Sequence, residues 1–409
     1  MDAIYSLAYW LYALSERLPS SFLQRNIGSP MLSADRPETR LATRLAFLIA
    51  GFGLACWAPL VPFAKARLGV DDGVLGILLL CLGGGAVVAM LGTGVVSARI
   101  GSKPIIIGGC LGLVLTLPML AVVDTPWTLG VVLAFFGASV GCLDVAMNIH
   151  AVEVEKGSSQ PLMSGFHALF SIGGFVGSAL MTLLLSMRMG PFAATLLSSA
   201  FMLGATVVAW PRLLRAEQTQ QGPLFVMPRG VIIVLAVLAA IMFLVEGALL
   251  DWSAVLITSQ GIVDESRGGV GYMLFAIAMT AGRLIGDALI AKFGDRAILI
   301  GGGIVALAGF AILLLSPLSW IALTGFVLIG LGAANIVPVF FRLAGTQQGM
   351  PANLGIAAVT TTGYAGILVG PAGIGFVADL WGLPAAFWML GLLLCLVPLC
   401  ARIVTDDPR

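Results

Sequence analysis

The sequence is short of charge. Lys, Arg, Asp and Glu make up 10% of its 409 residues, against roughly 25% in soluble domains. So few ionic groups cannot clothe a chain of this length in water, which excludes a soluble globular fold. Histidine is scarcer still, at two residues. The six cysteines lie in apolar runs without zinc or redox spacing. Metal and thiol chemistry therefore have nothing to build on, and the cysteines read as small packing residues. No GxxxxGKS/T loop occurs, which removes an ATP engine. No nucleophile–base or metal constellation appears, which argues against an enzyme. A formal net charge of +1 offers no basic surface for nucleic acid. No cofactor is expected.

What is abundant is apolar. Hydrophobic residues reach 59%, with 52 glycines and a mean hydropathy of +1.05. A membrane helix needs about 20 such residues, and glycine lets neighbouring helices approach closely. Twelve stretches qualify, at 42–64, 73–98, 103–123, 127–151, 162–187, 191–210, 229–256, 268–292, 296–315, 318–343, 352–379 and 382–403. An even number places both termini on one side. Sixteen of the 21 Lys and Arg residues then fall on that side, four on the other, and Arg283 within a span. Positive charge marks the cytoplasmic side, so both termini are expected there, in a bacterial inner membrane. Residues 1–40 precede the first span. Ala3–Leu14 is aromatic and too short to cross. Either it lies on the membrane surface or the chain truly starts at Met31. The expected fold is all-α, with halves at 41–210 and 229–403, a linker at 211–228 and a tail at 404–409. Pro59, Pro62 and Pro338 are expected to kink their helices.

The halves repeat. ARIGSKPIIIGGC (98–110) follows span 2 and AKFGDRAILIGGG (291–303) follows span 8, at an offset of 193 residues. The same offset relates Gly137 to Gly330 and Gly173 to Gly366. Two parallel six-helix halves describe the major facilitator arrangement, whose substrate site lies between the halves near the midplane.

These loops resemble the signature loop of the major facilitator superfamily. Gly94, Arg99, Gly101 and Lys103 fit it, as do Lys292, Gly294 and Arg296 in the second copy. The usual acid is Ala98 in one copy and Ala291 in the other, and Asp287 stands at the second copy's first glycine. DVAMN (144–148), SGFHALFSIGGFVG (164–177), EGALLDW (246–252), GRLIGD (282–287) and TTGYAGILVGP (361–371) resemble bacterial transporters of the MosC/YbjJ-like group, and DVAMN more distantly a segment of fucose permease. The resemblance implies a monomeric secondary transporter without a cofactor, and places Asp144 where fucose permease keeps an acid that handles substrate and proton.

Ionisable residues at membrane depth cost several kcal/mol and are functional candidates. Asp144, His167 and Glu246 are candidates for proton coupling. Asp144 is expected about 12 Å from the cytoplasmic end of span 4, at the depth of His167 in span 5. The two could share a proton, or His167 could simply be bonded in a helix interface. Trp57, Asn148, Glu246, Trp252, Asn335 and Tyr364 are candidates for the substrate cavity; packing or interfacial roles are the alternatives. Arg283 and Asp287 stand four apart and can pair as a structural or gating couple. Otherwise Arg283 binds an anionic solute, which would then be a carboxylate and not a neutral sugar. The leading reading is proton-coupled transport of a small polar solute such as a sugar, polyol or inositol-like compound. The alternative is efflux of drugs or metabolites by proton antiport.

Overall fold

Pro37 occupies the first turn of the first long helix and Glu38 follows it, a favourable start because proline has no amide to waste and an acid faces the helix dipole. In the computed structural model, which describes residues 36–70, 72–214, 228–263, 270–347 and 350–406, this helix is the first of eleven long enough and apolar enough to cross a membrane. They are Pro37–Leu60, Ile77–Ile100, Ser102–Val122, Pro126–Lys156, Met163–Ser186, Pro191–Arg212, Val231–Ser259, Val270–Leu315, Ser319–Thr346, Ala352–Trp381 and Leu383–Thr405. Val270–Leu315 runs for 46 residues and bends at Gly294, so it supplies two spans and the total is twelve. We number them span 1 to span 12, with span 8 ending at Gly294. The N-terminal segment before residue 36 and most of the expected linker lie outside the described residues.

Two span boundaries move by five residues, more than any other. Span 1 starts at Pro37, not residue 42, and span 4 continues to Lys156, not residue 151. Both helices outrun their apolar stretch because backbone hydrogen bonding continues into the polar layer. The expected kinks appear as breaks. Span 1 passes into a 3-10 turn at Ala58–Leu60. Span 10 is interrupted at Asn335, whose φ of −107° and ψ of 0° separate Ser319–Ala333 from Ile336–Thr346.

The repeat is visible in backbone geometry. Gly101 has φ 79° and ψ 169°, and Gly294 has φ 77° and ψ 165°. Only glycine adopts this region at little cost, so the same turn is built at the same offset. A Cβ on Gly137 would land on the Leu82 carbonyl, and one on Gly330 on the Phe275 carbonyl; the 193-residue offset relates both partners as well. Lys103 donates to the Leu213 carbonyl at 3.1 Å and Arg296 reaches Asp406 at 3.5 Å. Those pairs too are 193 apart, so this basic residue of each signature loop anchors the chain leaving the sixth span of its own half. Lys292 lies over the Phe293 ring, 5.1 Å from its centre.

The loops after spans 2, 4, 8 and 10 share one end of the bundle, called here the basic end. At the opposite end Arg67 donates to the carbonyls of Leu120, Ala121 and Val123 at 2.8, 2.7 and 3.0 Å. It caps the C-terminus of span 3, where a cation complements the unpaired carbonyls.

Candidate functional site

Arg283 in span 8 is at the centre of the arrangement. It is 11 residues from Gly294, so roughly 16 Å from the basic end, and buried. Its Nε donates to the Ala334 carbonyl at 3.3 Å and its Nη1 to the Ser171 hydroxyl of span 5 at 2.7 Å. Its Nη2 meets Glu246 Oε1 of span 7 at 3.5 Å. The guanidinium thus bridges the two halves, with Ser171 on one and Glu246 on the other. Tyr272, further out on span 8, lies within the fields of Glu246, Arg283 and Asp251.

Asp287 does not pair with Arg283. Its two oxygens accept from the backbone N–H groups of Ser164 and Gly165 at 2.9 and 2.8 Å. Those amides belong to the first turn of span 5, which begins at Met163. A helix start leaves four N–H groups without internal partners, and a carboxylate there gains charge-assisted bonds and the helix dipole. This outcompetes the neighbour one turn away. Glu155 takes the other two amides, Leu162 and Met163, at 2.6 and 2.7 Å. The start of span 5 is therefore capped by one acid from its own half and one from the other.

More contacts between the halves seal the basic end. Arg342 of span 10 approaches Glu155 at 3.7 Å and also binds Asp295. Lys156 donates to the Gly345 carbonyl at 2.7 Å. A Cβ on Gly94 would meet Ala357 Cβ of span 11 at 2.6 Å. The 193-residue offset relates Gly94 to Asp287 and Ala357 to Ser164. One contact thus occurs twice, once as glycine against a helix and once as an acid capping it.

Asp144 in span 4 lies deeper than expected. Counted from Lys156 it is 12 residues in, or about 18 Å, because the span is longer. It is buried. Asn148 Nδ2 donates to its carbonyl at 2.9 Å and its Oδ1 at 3.3 Å. Asn148 is fully buried and supports the carboxylate. Tyr364 of span 11 lies within the field of Asp144 and packs edge-on against Phe243 at 5.9 Å.

An Asp144–His167 pair, one of the two readings of these residues, is absent among the described residues. The His167 ring sits between Phe47 and Phe341, with centroids at 5.2 and 5.5 Å. Phe341 stacks on the ring and Phe47 meets it in a T-shaped contact. Asn335 fills the break in span 10, donating to the Gly282 carbonyl at 3.0 Å. A side chain on Gly286 would collide with it, so Asn335 is packed closely against span 8. Trp57 and Trp252 lie some 20 residues along their spans, roughly 30 Å from the basic end. Trp57 is buried. Trp252 lies with Cζ2 3.4 Å from the Cβ position of Gly375.

Several contributors were not foreseen. Ser171 follows His167 by one turn, a spacing that could have flagged it, and Tyr272 lies three turns before Arg283 on the same face. Glu155, Arg342 and Asp295 carried no sequence signal beyond their charge. His150 is fully buried. The Leu214 amide donates to its Nε2 at 3.0 Å, so a neutral ring carries its proton on Nδ1 and donates to Thr43 at 3.1 Å. It ties the exit of span 6 to spans 1 and 4.

Twelve spans in two repeated halves, sealed at one end and bridged by charge at mid-depth, define a membrane transporter. A profile of the Major Facilitator Superfamily matches residues 44–349, and the chain belongs to that family. It is 48% identical to an MFS-type transporter of Yersinia pestis, over 90% of this chain and 96% of the relative. It is 29% identical to the membrane protein MosC of Rhizobium meliloti, over 96% of this chain and 95% of MosC. Among solved structures it is similar to FucP in the outward conformation, with TM-score 0.77 and 16% identity, covering 91% of this chain and all of that one.

Proposed function

We propose that the chain is a proton-coupled secondary transporter of a small polar organic solute of the sugar, polyol or inositol-like kind. It works by alternating access, with the basic end on the cytoplasmic side of a bacterial inner membrane. The observation that carries this reading is the pair of acids at mid-depth, Asp144 in the first half and Glu246 in the second. Among the described residues each has few partners: Asp144 is held by Asn148, and Glu246 by one long contact. An acid kept at membrane depth with so little compensation costs free energy, which a proton can remove. Nε2 of His167, Nε1 of Trp252 and Oγ of Ser253 have no protein partner among the described residues. Buried polar groups are almost always paired, so a hydroxylated guest suits this interior better than a lipophilic one.

The sealed basic end supports a state facing away from the cytoplasm. Moving Asp287 and Arg342 away from span 5 and Glu155 would open that end. The test is uptake by proteoliposomes under an imposed proton gradient, using labelled sugars, polyols, inositols, polyhydroxy acids and lipophilic cations. Gradient-dependent entry of a polar solute is expected. Movement of lipophilic cations alone would favour efflux instead.

A further inference from the structure

Three features of the Arg283–Glu246 contact set it apart from a structural ion pair. It is long, at 3.5 Å, and only Nη2 and Oε1 take part. It is unequal, since the Arg283 side chain is 8% exposed and that of Glu246 27%. Finally, Arg283 is held in place without it. Nε is fixed by the Ala334 carbonyl and Nη1 by Ser171. A guanidinium offers five N–H donors in a rigid fork that fits a carboxylate through two parallel bonds. Glu246 engages that fork by one oxygen from its open side.

We propose that the transported solute is a polyhydroxylated carboxylic acid whose carboxylate replaces Glu246 at Nη2 of Arg283, while Glu246 takes up a proton. This rests on the proton-coupled transport reading above and narrows its polar solute to an acid, in place of a neutral sugar or polyol. The exchange balances. Glu246 passes from carboxylate to carboxylic acid by gaining one proton, and one solute carboxylate takes its place beside the guanidinium. The charge of the site is the same before and after. One monoanion and one proton then cross together with no net charge moved. A neutral polyol could not displace Glu246, because nothing would then balance Arg283.

Around Glu246, Arg283 and Tyr272 of span 8 lie in its field, Asp251 stands further along its own span, and span 11, which packs against span 7, carries Tyr364. Span 10 carries Arg342 and span 12 Arg402, both near the basic end. Across the centre, His167 lies in the field of Arg283, and Asp144 lies beside Tyr364. Asp144 would repel a second anion on its side of the centre. Arg283 is therefore where the solute carboxylate belongs, and the hydroxyl-bearing part extends toward span 4.

The experiment measures thermal stability of the full-length purified protein with D-gluconate, D-glucuronate, quinate and D-glycerate. Each is set against an uncharged counterpart: sorbitol, methyl glucoside, inositol and glycerol. Measurements are made at about pH 5.5 and about pH 8, either side of the range expected for a buried carboxylate. At least one acid should stabilise at the lower pH and its counterpart should not. Its apparent affinity should fall about tenfold per pH unit once Glu246 ionises. In Glu246→Gln the acid should bind alike at both pH values. In Arg283→Lys, which keeps the charge and loses the fork, the stabilisation should vanish. Should the variants not fold, proton uptake by the unaltered protein in weak buffer decides the matter, with about one proton expected per acid bound.

Equal stabilisation by acids and counterparts, binding of the acid without proton uptake, or no response to any acid would each overturn the proposal. A neutral polyol that binds and enters proteoliposomes on a proton gradient would remove the carboxylate and leave the transport reading standing. Binding of an acid with no gradient-driven entry of any solute would remove the transport reading instead.

Discussion

Replacing Asp287 with alanine takes away the only side chain from the second half that bonds to the amides at the start of span 5, among the described residues. Two charge-assisted bonds go, at 2.9 and 2.8 Å, together with a negative charge at a helix N-terminus. Loss of such a cap costs about 0.5–2 kcal/mol, and the charge at the dipole up to about 2 kcal/mol in partly buried geometry. Both contributions vanish when the halves separate and water solvates the acid and the amides. The substitution therefore weakens the sealed state relative to the open one by about 2 kcal/mol, or about thirtyfold in population. Glu155 remains to hold Leu162 and Met163, so span 5 itself should stay folded. Spin labels at Gln160 and Ala291, which are exposed on opposite halves at the basic end, report the change by pulsed dipolar spectroscopy. A longer-distance population should appear in Asp287→Ala, with a smaller shift in Asp287→Asn, which keeps an acceptor. An unaltered distance distribution in a folded Asp287→Ala protein would show that the cap does not hold the halves together.

Asp144→Asn should lose proton-driven uptake by more than about tenfold while exchange of bound solute persists; uptake that still follows the gradient would remove Asp144 from coupling. In a double-mutant cycle, Arg283→Gln alone should destabilise the protein more than Arg283→Gln with Glu246→Gln, because the single change strands a carboxylate at membrane depth; a worse double variant in thermal denaturation contradicts the pairing. Gly137→Ala and Gly330→Ala should each cost about 1–3 kcal/mol by overpacking a backbone contact, and an unshifted melting temperature in either would refute the close approach. Arg67→Ala, which uncaps span 3, should lower stability by about 1–2 kcal/mol, and a neutral effect would mean water replaces the guanidinium without loss.

Span number, repeat and family features were legible because each rests on a long or periodic signal. Partner choice was not. The spacing of Arg283 and Asp287 correctly put them on one face, but a sequence shows neither the free amides at Ser164 and Gly165 nor the hydroxyl of Ser171, which is 112 residues away from Arg283. The depth of Asp144 was underestimated because hydropathy marks where a stretch stops being apolar, whereas the helix continues to Lys156. His167 was read by its chemistry, and its position between Phe47 and Phe341 depends on spans 1 and 10 meeting span 5. Asn335 and Asn148 were read as candidates for the substrate cavity; in the structure each donates its amide nitrogen to a neighbouring carbonyl, a partner that the sequence does not show.

Arg283 and Asp287 are one turn apart on an unbroken stretch of helix, about 6 Å along its axis. One grips Ser171 and the other the first turn of span 5. A rigid rod cannot lift one end of so short a segment and leave the other docked. Releasing the mid-depth contact with Ser171 and releasing the seal at the basic end are thus a single mechanical event, timed by geometry, with no chain of intermediate residues needed to carry a message between them.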